Sequence, residues 1–134
     1  MGTITIDDFS KVEIRVGTVL VAEKAEGADK LLRLLFDFGS LDEEPEQLAD
    51  SEVTKQLREE YPGKHVRQIM SAIAEFFPDP SILVGKQICV CTNLEPRKFR
   101  GHESQGMILA VDNPDGGITF IGPEGKVPAG VRLH

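Results

Sequence analysis

Val12, Ile14 and Val16 alternate with Lys11, Glu13 and Arg15. A period of two is that of a strand with one buried face. Gly17 breaks the alternation and Val19-Leu20-Val21 is apolar at every position, so a first strand over 9–24 is expected, bulged or bent near the glycine. A turn at Glu26-Gly27-Ala28-Asp29 leads to a second strand, 31–38, with Leu32, Leu34, Phe36 and Phe38 on one face and Arg33 and Asp37 on the other. A third strand is expected over 66–73, with Ile69, Met70 and Ile73 as core candidates. Ala74-Glu75-Phe76-Phe77 reads as a short helical turn, broken by Pro78-Asp79-Pro80. A fourth strand follows over 86–92, then a polar loop over 93–103 and a fifth strand over 106–111. Asn113-Pro114-Asp115-Gly116-Gly117 is a strong turn signal before a short sixth strand, 118–121.

Between the second and third strands the pattern changes. Leu48, Val53, Leu57 and Tyr61 recur at roughly helical spacing, Asp50-Ser51 offers a cap, and Pro62-Gly63 offers a stop. The segment 40–66 is therefore read as an acidic helical insertion. It carries eight acids against three cations, a net charge of −5 out of −7 for the whole chain. The total balance argues against a nucleic-acid binder, whose footprint is basic. Its distribution does not, because phosphate binding follows the local field.

The 134 residues suit one domain, 1–134, with 112–134 as a C-terminal extension. No apolar stretch approaches the roughly 20 residues of a membrane span, and the acidic start Ile6-Asp7-Asp8 does not read as a secretory signal. A cytoplasmic location is expected. Cys89 and Cys91 form C-x-C on the fourth strand, where two same-face thiols in the interior fit better than a disulfide or a metal. His65, His102 and His134 have no zinc spacing, and no cofactor motif occurs. His102-Glu103-Ser104 are neighbours on an extended stretch, so alternate side chains point apart and no activated nucleophile is assembled. The chain is not expected to be an enzyme.

The densest polar cluster is the loop 93–103. Arg97, Lys98 and Arg100 place three cations in four positions, after Pro96 and before Gly101. Such side chains meet phosphate oxygens, with arginine offering a bidentate fork. Phe99 among them stacks on a base or, as is more usual for a phenylalanine, packs inward. Lys30 and Arg33 on the second strand and Arg67 on the third join these cations in one groove if the strands close into a small barrel. Closure is favoured for five or six short strands because it removes exposed edges.

Phe9-Ser10-Lys11-Val12-Glu13-Ile14-Arg15-Val16-Gly17, Ala28-Asp29-Lys30-Leu31 and Arg67-Gln68-Ile69-Met70-Ser71-Ala72-Ile73-Ala74 resemble successive motifs of the tRNA-binding domain family. Val84-Gly85-Lys86, the stretch from Asn93 to Gly101 and the stretch from Glu103 to Ala110 continue the resemblance in order. It implies an all-β, five-stranded oligonucleotide-binding (OB-fold) barrel, with a short helix between strands 3 and 4 and the acidic insertion between strands 2 and 3. It implies a non-catalytic module that binds tRNA by shape and phosphate contacts. Carried over by motif, Lys30, Asn93, Arg97, Lys98, Arg100, Ser104 and Met107 are the RNA contacts, with Arg33 added from its place on the strand. Short members form homodimers, and Val127 to His134 resembles the tail that helps to build that contact. An aminoacyl-tRNA synthetase is an implied partner. The export-chaperone-like branch of the family implies an alternative, a chaperone-like module for unfolded or pre-secretory polypeptides. Glu13 and Ala72 stand where the family has Asp and Gly, and the acidic segment stands where it has a short connection. An acidic helix beside the groove would repel phosphates.

Overall fold

The computed structural model describes residues 1–40 and 46–134; residues 41–45 of the acidic segment lie outside the described residues. Strand β1 (Ile14–Ala25) is the axis of the molecule. Its first part, Ile14 to Thr18, pairs with β4 (Gln87–Cys91), and from Thr18 to Ala25 it pairs with β2 (Ala28–Asp37). With β3 (Val66–Ser71) and β7 (Met107–Ile108) these make a five-stranded antiparallel sheet in the order β3-β2-β1-β4-β7. Two short pairs complete the strands: β5 (Arg97–Phe99) with β6 (His102–Ser104), and β8 (Ala110–Asp112) with β9 (Ile118–Phe120).

The alternation of β2 survives in three dimensions. Leu32, Leu34, Phe36 and Phe38 are all completely buried, packed with Val19, Ile69, Ile88 and Val90. Burying side chains of this size stabilises the fold by roughly 1.5–3 kcal/mol each. Gly17 is where β1 admits the two rings: a Cβ there would stand 2.8 Å from Phe36 and 2.9 Å from Phe38. The bulge itself falls further on, where the β1–β2 register shifts between Val19 and Val21. Cys89 and Cys91 are free and buried, as their place on a central strand suggests.

The first strand is shorter than its pattern. Thr5 caps a single helical turn, α1 (Ile6–Phe9), by accepting from the Asp8 amide at 3.1 Å, and Val12 is exposed. The acidic segment holds α2 (Glu46–Ala49) and α3 (Glu52–Glu60). Ser51 caps α3 through the Thr54 amide, and the helix ends ahead of Pro62-Gly63. Leu57 packs on Leu35 and Val66, so α3 covers the face of β2 opposite the main core. Two 3₁₀ turns, Ala74–Phe76 and Pro80–Leu83, join β3 to β4. The tail returns to β1: the amides of Gly130 and Leu133 donate to the carbonyls of Val16 and Ile14 at 2.7 and 2.9 Å. Among the described residues no helix is long and apolar enough to cross a membrane.

Candidate nucleic-acid interface

The loop expected over 93–103 contains a hairpin, β5–β6, and its two-residue turn is Arg100-Gly101. Both turn residues have left-handed backbone, φ +52° and +84°. Tight two-residue hairpin turns use this conformation because it matches strand twist. Glycine adopts it freely; arginine adopts it at a cost. The register sets Arg97 opposite Ser104, Lys98 opposite Glu103 and Phe99 opposite His102.

Three anchors fix the hairpin to the sheet. Ser104, buried, accepts from the Met70 amide at 3.1 Å and donates to the Gly106 carbonyl at 3.0 Å. Gln105, also buried, exchanges bonds with Gln68: its amide donates to the Gln68 carbonyl at 2.8 Å, and its Oε1 accepts from the Gln68 amide at 3.1 Å. At the outer end, His102 Nε2 lies 2.8 Å from the Glu26 carbonyl, in the β1–β2 turn. The residues just before β7 are thus bonded to β3, the opposite edge of the sheet.

Phe99 is half-buried against Ala25, Ala28, Leu31 and Met70 and divides two hollows. One, about 620 Å³, has Lys30, Lys98 and Arg100 in its wall, with Asp29 the one acid there among the described residues. The other, about 230 Å³, is lined by Met70, Leu94, Glu95, Arg97 and Met107 among others. The Arg97 guanidinium lies 5.0 Å from the Phe99 ring centre, within the range of a cation–π contact. Lys30, Arg97, Lys98 and Arg100 are exposed and take part in no ion pair among the described residues. An array of unpaired cations around concave surface attracts polyanions.

The other expected contacts are tied into the protein. Arg33 donates to Gln68 Oε1 and Glu23 Oε1, each at 2.8 Å. Asn93 pins the chain before β1, accepting from the Glu13 amide at 2.8 Å and donating to the Lys11 carbonyl at 2.6 Å. Arg67 does not reach a groove. It is 2% exposed and donates to the Thr92 carbonyl and to His65 Nε2. Burial, and then the positive charge of Arg67, push His65 down to about 4. Glu13 is driven up by burial, but hydrogen bonds from Arg15 and Thr92 outweigh this and leave it below its ordinary value. Gln68, Gln105 and Glu103, which organise the hairpin, lie in stretches that resemble the family's motifs, but their role has no local signal, since their bonds join residues about 35 positions apart.

A family profile described as "Putative tRNA binding domain" matches residues 60–132, more than half of the chain. The chain belongs to the tRNA-binding domain family. The matched stretch of the tRNA-binding domain takes in β3, the cationic hairpin and the tail; Lys30 and Arg33 precede it and reach the site through the pairing of β2 with β3. The methionine–tRNA ligases of Enterococcus faecalis and Porphyromonas gingivalis W83 are 39% and 41% identical over 130 residues, 97% of this chain in each case. The chain spans only 16% and 15% of those two proteins. A crystal structure of a MetRS-related protein from Pyrococcus horikoshii matches with a TM-score of 0.74 and 32% identity, covering 100% of both chains. The chaperone CsaA of Bacillus anthracis matches with a TM-score of 0.73 at 22% identity, over 99% of this chain and 100% of that one, and shares the fold.

Proposed function

We propose that this tRNA-binding domain is a non-catalytic, cytoplasmic module that grips tRNA or similarly structured RNA on the face made by the hairpin and the β1–β2 turn. The observation that carries the reading is the set of exposed cations Lys30, Lys98 and Arg100 around one hollow, with Arg97 beside the next, none in an ion pair among the described residues. These four meet phosphates, and Met107, 49% exposed at the rim of the smaller hollow, supplies an apolar contact. Asn93, Ser104 and Arg33, whose polar atoms already have protein partners, serve mainly by holding the frame. Residues 1–134 act as one unit, with the five-stranded sheet rolled into an OB-type barrel; the bonds from Ser104 and Gln105 to β3 support closure. With 7 phenylalanines and 1 tyrosine in the chain, most of them packed against core residues, recognition rests on backbone and shape rather than on a long stacking platform.

The test is tRNA affinity against salt, for the wild type and for Arg97→Ala/Lys98→Ala/Arg100→Ala. Log affinity falls with log salt by about 0.7–0.9 per phosphate contact, so the triple variant should bind weakly and with a flatter slope. Binding that is absent at low salt, or indifferent to salt, refutes the reading. Unfolded polypeptide is the second ligand to try, because Leu94 and Met107 leave exposed apolar surface at the same hollow. Binding of that kind should survive loss of the three cations.

A homodimer is part of the proposal. Ile6, Phe9, Val12 and Leu133 line an exposed hollow beside the tail, and covering it with a second copy removes that apolar surface from water. Light scattering should give twice the chain mass for the wild type and the chain mass for Phe9→Glu/Leu133→Glu. Association with a synthetase is proposed on the likeness to the methionine–tRNA ligases.

A further inference from the structure

Lys98 and Glu103 stand directly opposite each other in the hairpin. Opposed residues of antiparallel strands share a face, with Cβ atoms about 4.5–5.5 Å apart, and opposite charges there normally pair. These two do not: Lys98 takes part in no ion pair among the described residues. The Glu103 carboxylate is engaged elsewhere. Its Oε2 accepts from Ser51 Oγ at 2.6 Å and from Gln105 Nε2 at 2.9 Å. Gln105 Nε2 donates in turn to Thr54 Oγ1 at 2.8 Å, and both residues are buried. Ser51 is the N-cap of α3 and Thr54 is on its first turn, so both belong to the acidic segment.

We propose that Ser51 is a positioning residue for RNA binding: it draws the Glu103 carboxylate onto the start of α3 and so keeps the Lys98 ammonium free for phosphate. The proposal rests on the RNA reading above and extends it. On this account the acidic segment raises the effective charge of the groove instead of opposing it. The hydroxyl does two things at once, since the oxygen that caps the helix by accepting from the Thr54 amide also carries the proton given to Glu103. Without that donor, the hydrogen bond from Ser51 to the carboxylate is lost, and the ammonium of Lys98, opposite across the hairpin, can replace it with a charge-assisted bond.

The test compares Ser51→Ala, Glu103→Gln and the double variant, with Ser51→Thr retaining both cap and donor. In Ser51→Ala tRNA affinity should fall several-fold, and the salt slope should shrink by about 0.7–0.9, one phosphate contact. Ser51→Thr should match the wild type. In the Glu103→Gln background, Ser51→Ala should change neither affinity nor slope, although the helix cap is still lost. A loss that persists in that background, or one without a change of slope, overturns the proposal and marks Ser51 as a structural cap alone. A crystal structure of Ser51→Ala provides a readout that needs no RNA. The carboxylate should have turned to form an ion pair with Lys98; a carboxylate still on Gln105 and apart from Lys98 overturns the proposal. If the wild type shows no salt-sensitive binding, the RNA reading fails, while this structure still decides whether Ser51 governs the Lys98–Glu103 pair.

Discussion

The Nε of Arg67 donates to the Nε2 of His65 at 2.9 Å, with both side chains buried beside Phe38. An acceptor nitrogen carries no proton, so this imidazole is neutral with its hydrogen on Nδ1. His65 lies just before β3 and Arg67 within it, and together they connect the fold to pH.

Stability should fall as pH drops from about 6.5 to about 4. His65 is lowered to about 4, by burial first and by Arg67 next, from an ordinary 6.5. In that window the unfolded chain holds the extra proton and the folded one does not. The stabilisation is therefore complete above about 6.5 and lost by about 4, roughly 3 kcal/mol in all. Urea denaturation at a series of pH values measures it, and His65→Gln should flatten the curve between those limits. The lowered value of Glu13 acts in the same direction, below its ordinary 4.5.

Arg67→Met should be strongly destabilising despite preserving an apolar stem. The carbonyls of Thr92 and Gln105 both accept from its Nη1. Leaving a buried acceptor unsatisfied costs about 1–3 kcal/mol. A fall in stability of at least about 2 kcal/mol by chemical denaturation is expected, with faster amide exchange at Gln105.

Gly130→Ala should detach the tail. Gly130 is buried with φ +91°, and a Cβ there collides with the Phe38 carbonyl, which is backbone and cannot step aside. The bonds from Gly130 and Leu133 to β1 should open. Hydrogen exchange at the Leu133 amide reads this directly, and unchanged protection would show that the tail tolerates the methyl.

Arg100→Asn should separate stability from binding. Asparagine tolerates the left-handed backbone that Arg100 adopts at φ +52°. The hairpin should lose nothing, and gain up to about 1 kcal/mol. Affinity for tRNA should drop with the lost cation. Thermal melting and a binding titration on the same protein make the comparison.

Much of this was legible in the residues. The alternation of Leu32, Leu34, Phe36 and Phe38 gave away the main core, and Ser51 and Pro62-Gly63 bounded the helix of the acidic segment. The cluster of Arg97, Lys98 and Arg100 was equally plain as a candidate site. The hairpin beneath them was not. Its strands have three residues each, too few to establish a period, and its turn uses arginine where Asn, Asp or Gly signal a hairpin. Arg67 looked like another groove cation because nothing in its neighbours announces the carbonyls of Thr92 and Gln105, which lie 25 and 38 positions away.

Local periodicity and turn chemistry act over a few residues, and at that range the sequence alone determined strands, caps and the cationic loop. Tertiary structure decided which polar groups are used up and which stay free. Leu35 shares a face with Arg33 and is buried because α3 lies over it. Glu103 faces Lys98 across the hairpin, yet its carboxylate bonds to Ser51, 52 positions away along the chain and 2.6 Å away in space. That long-range contact decides where the Glu103 carboxylate is held, because hydrogen bonding and ion pairing fall off over a few ångströms of space and are blind to distance along the chain.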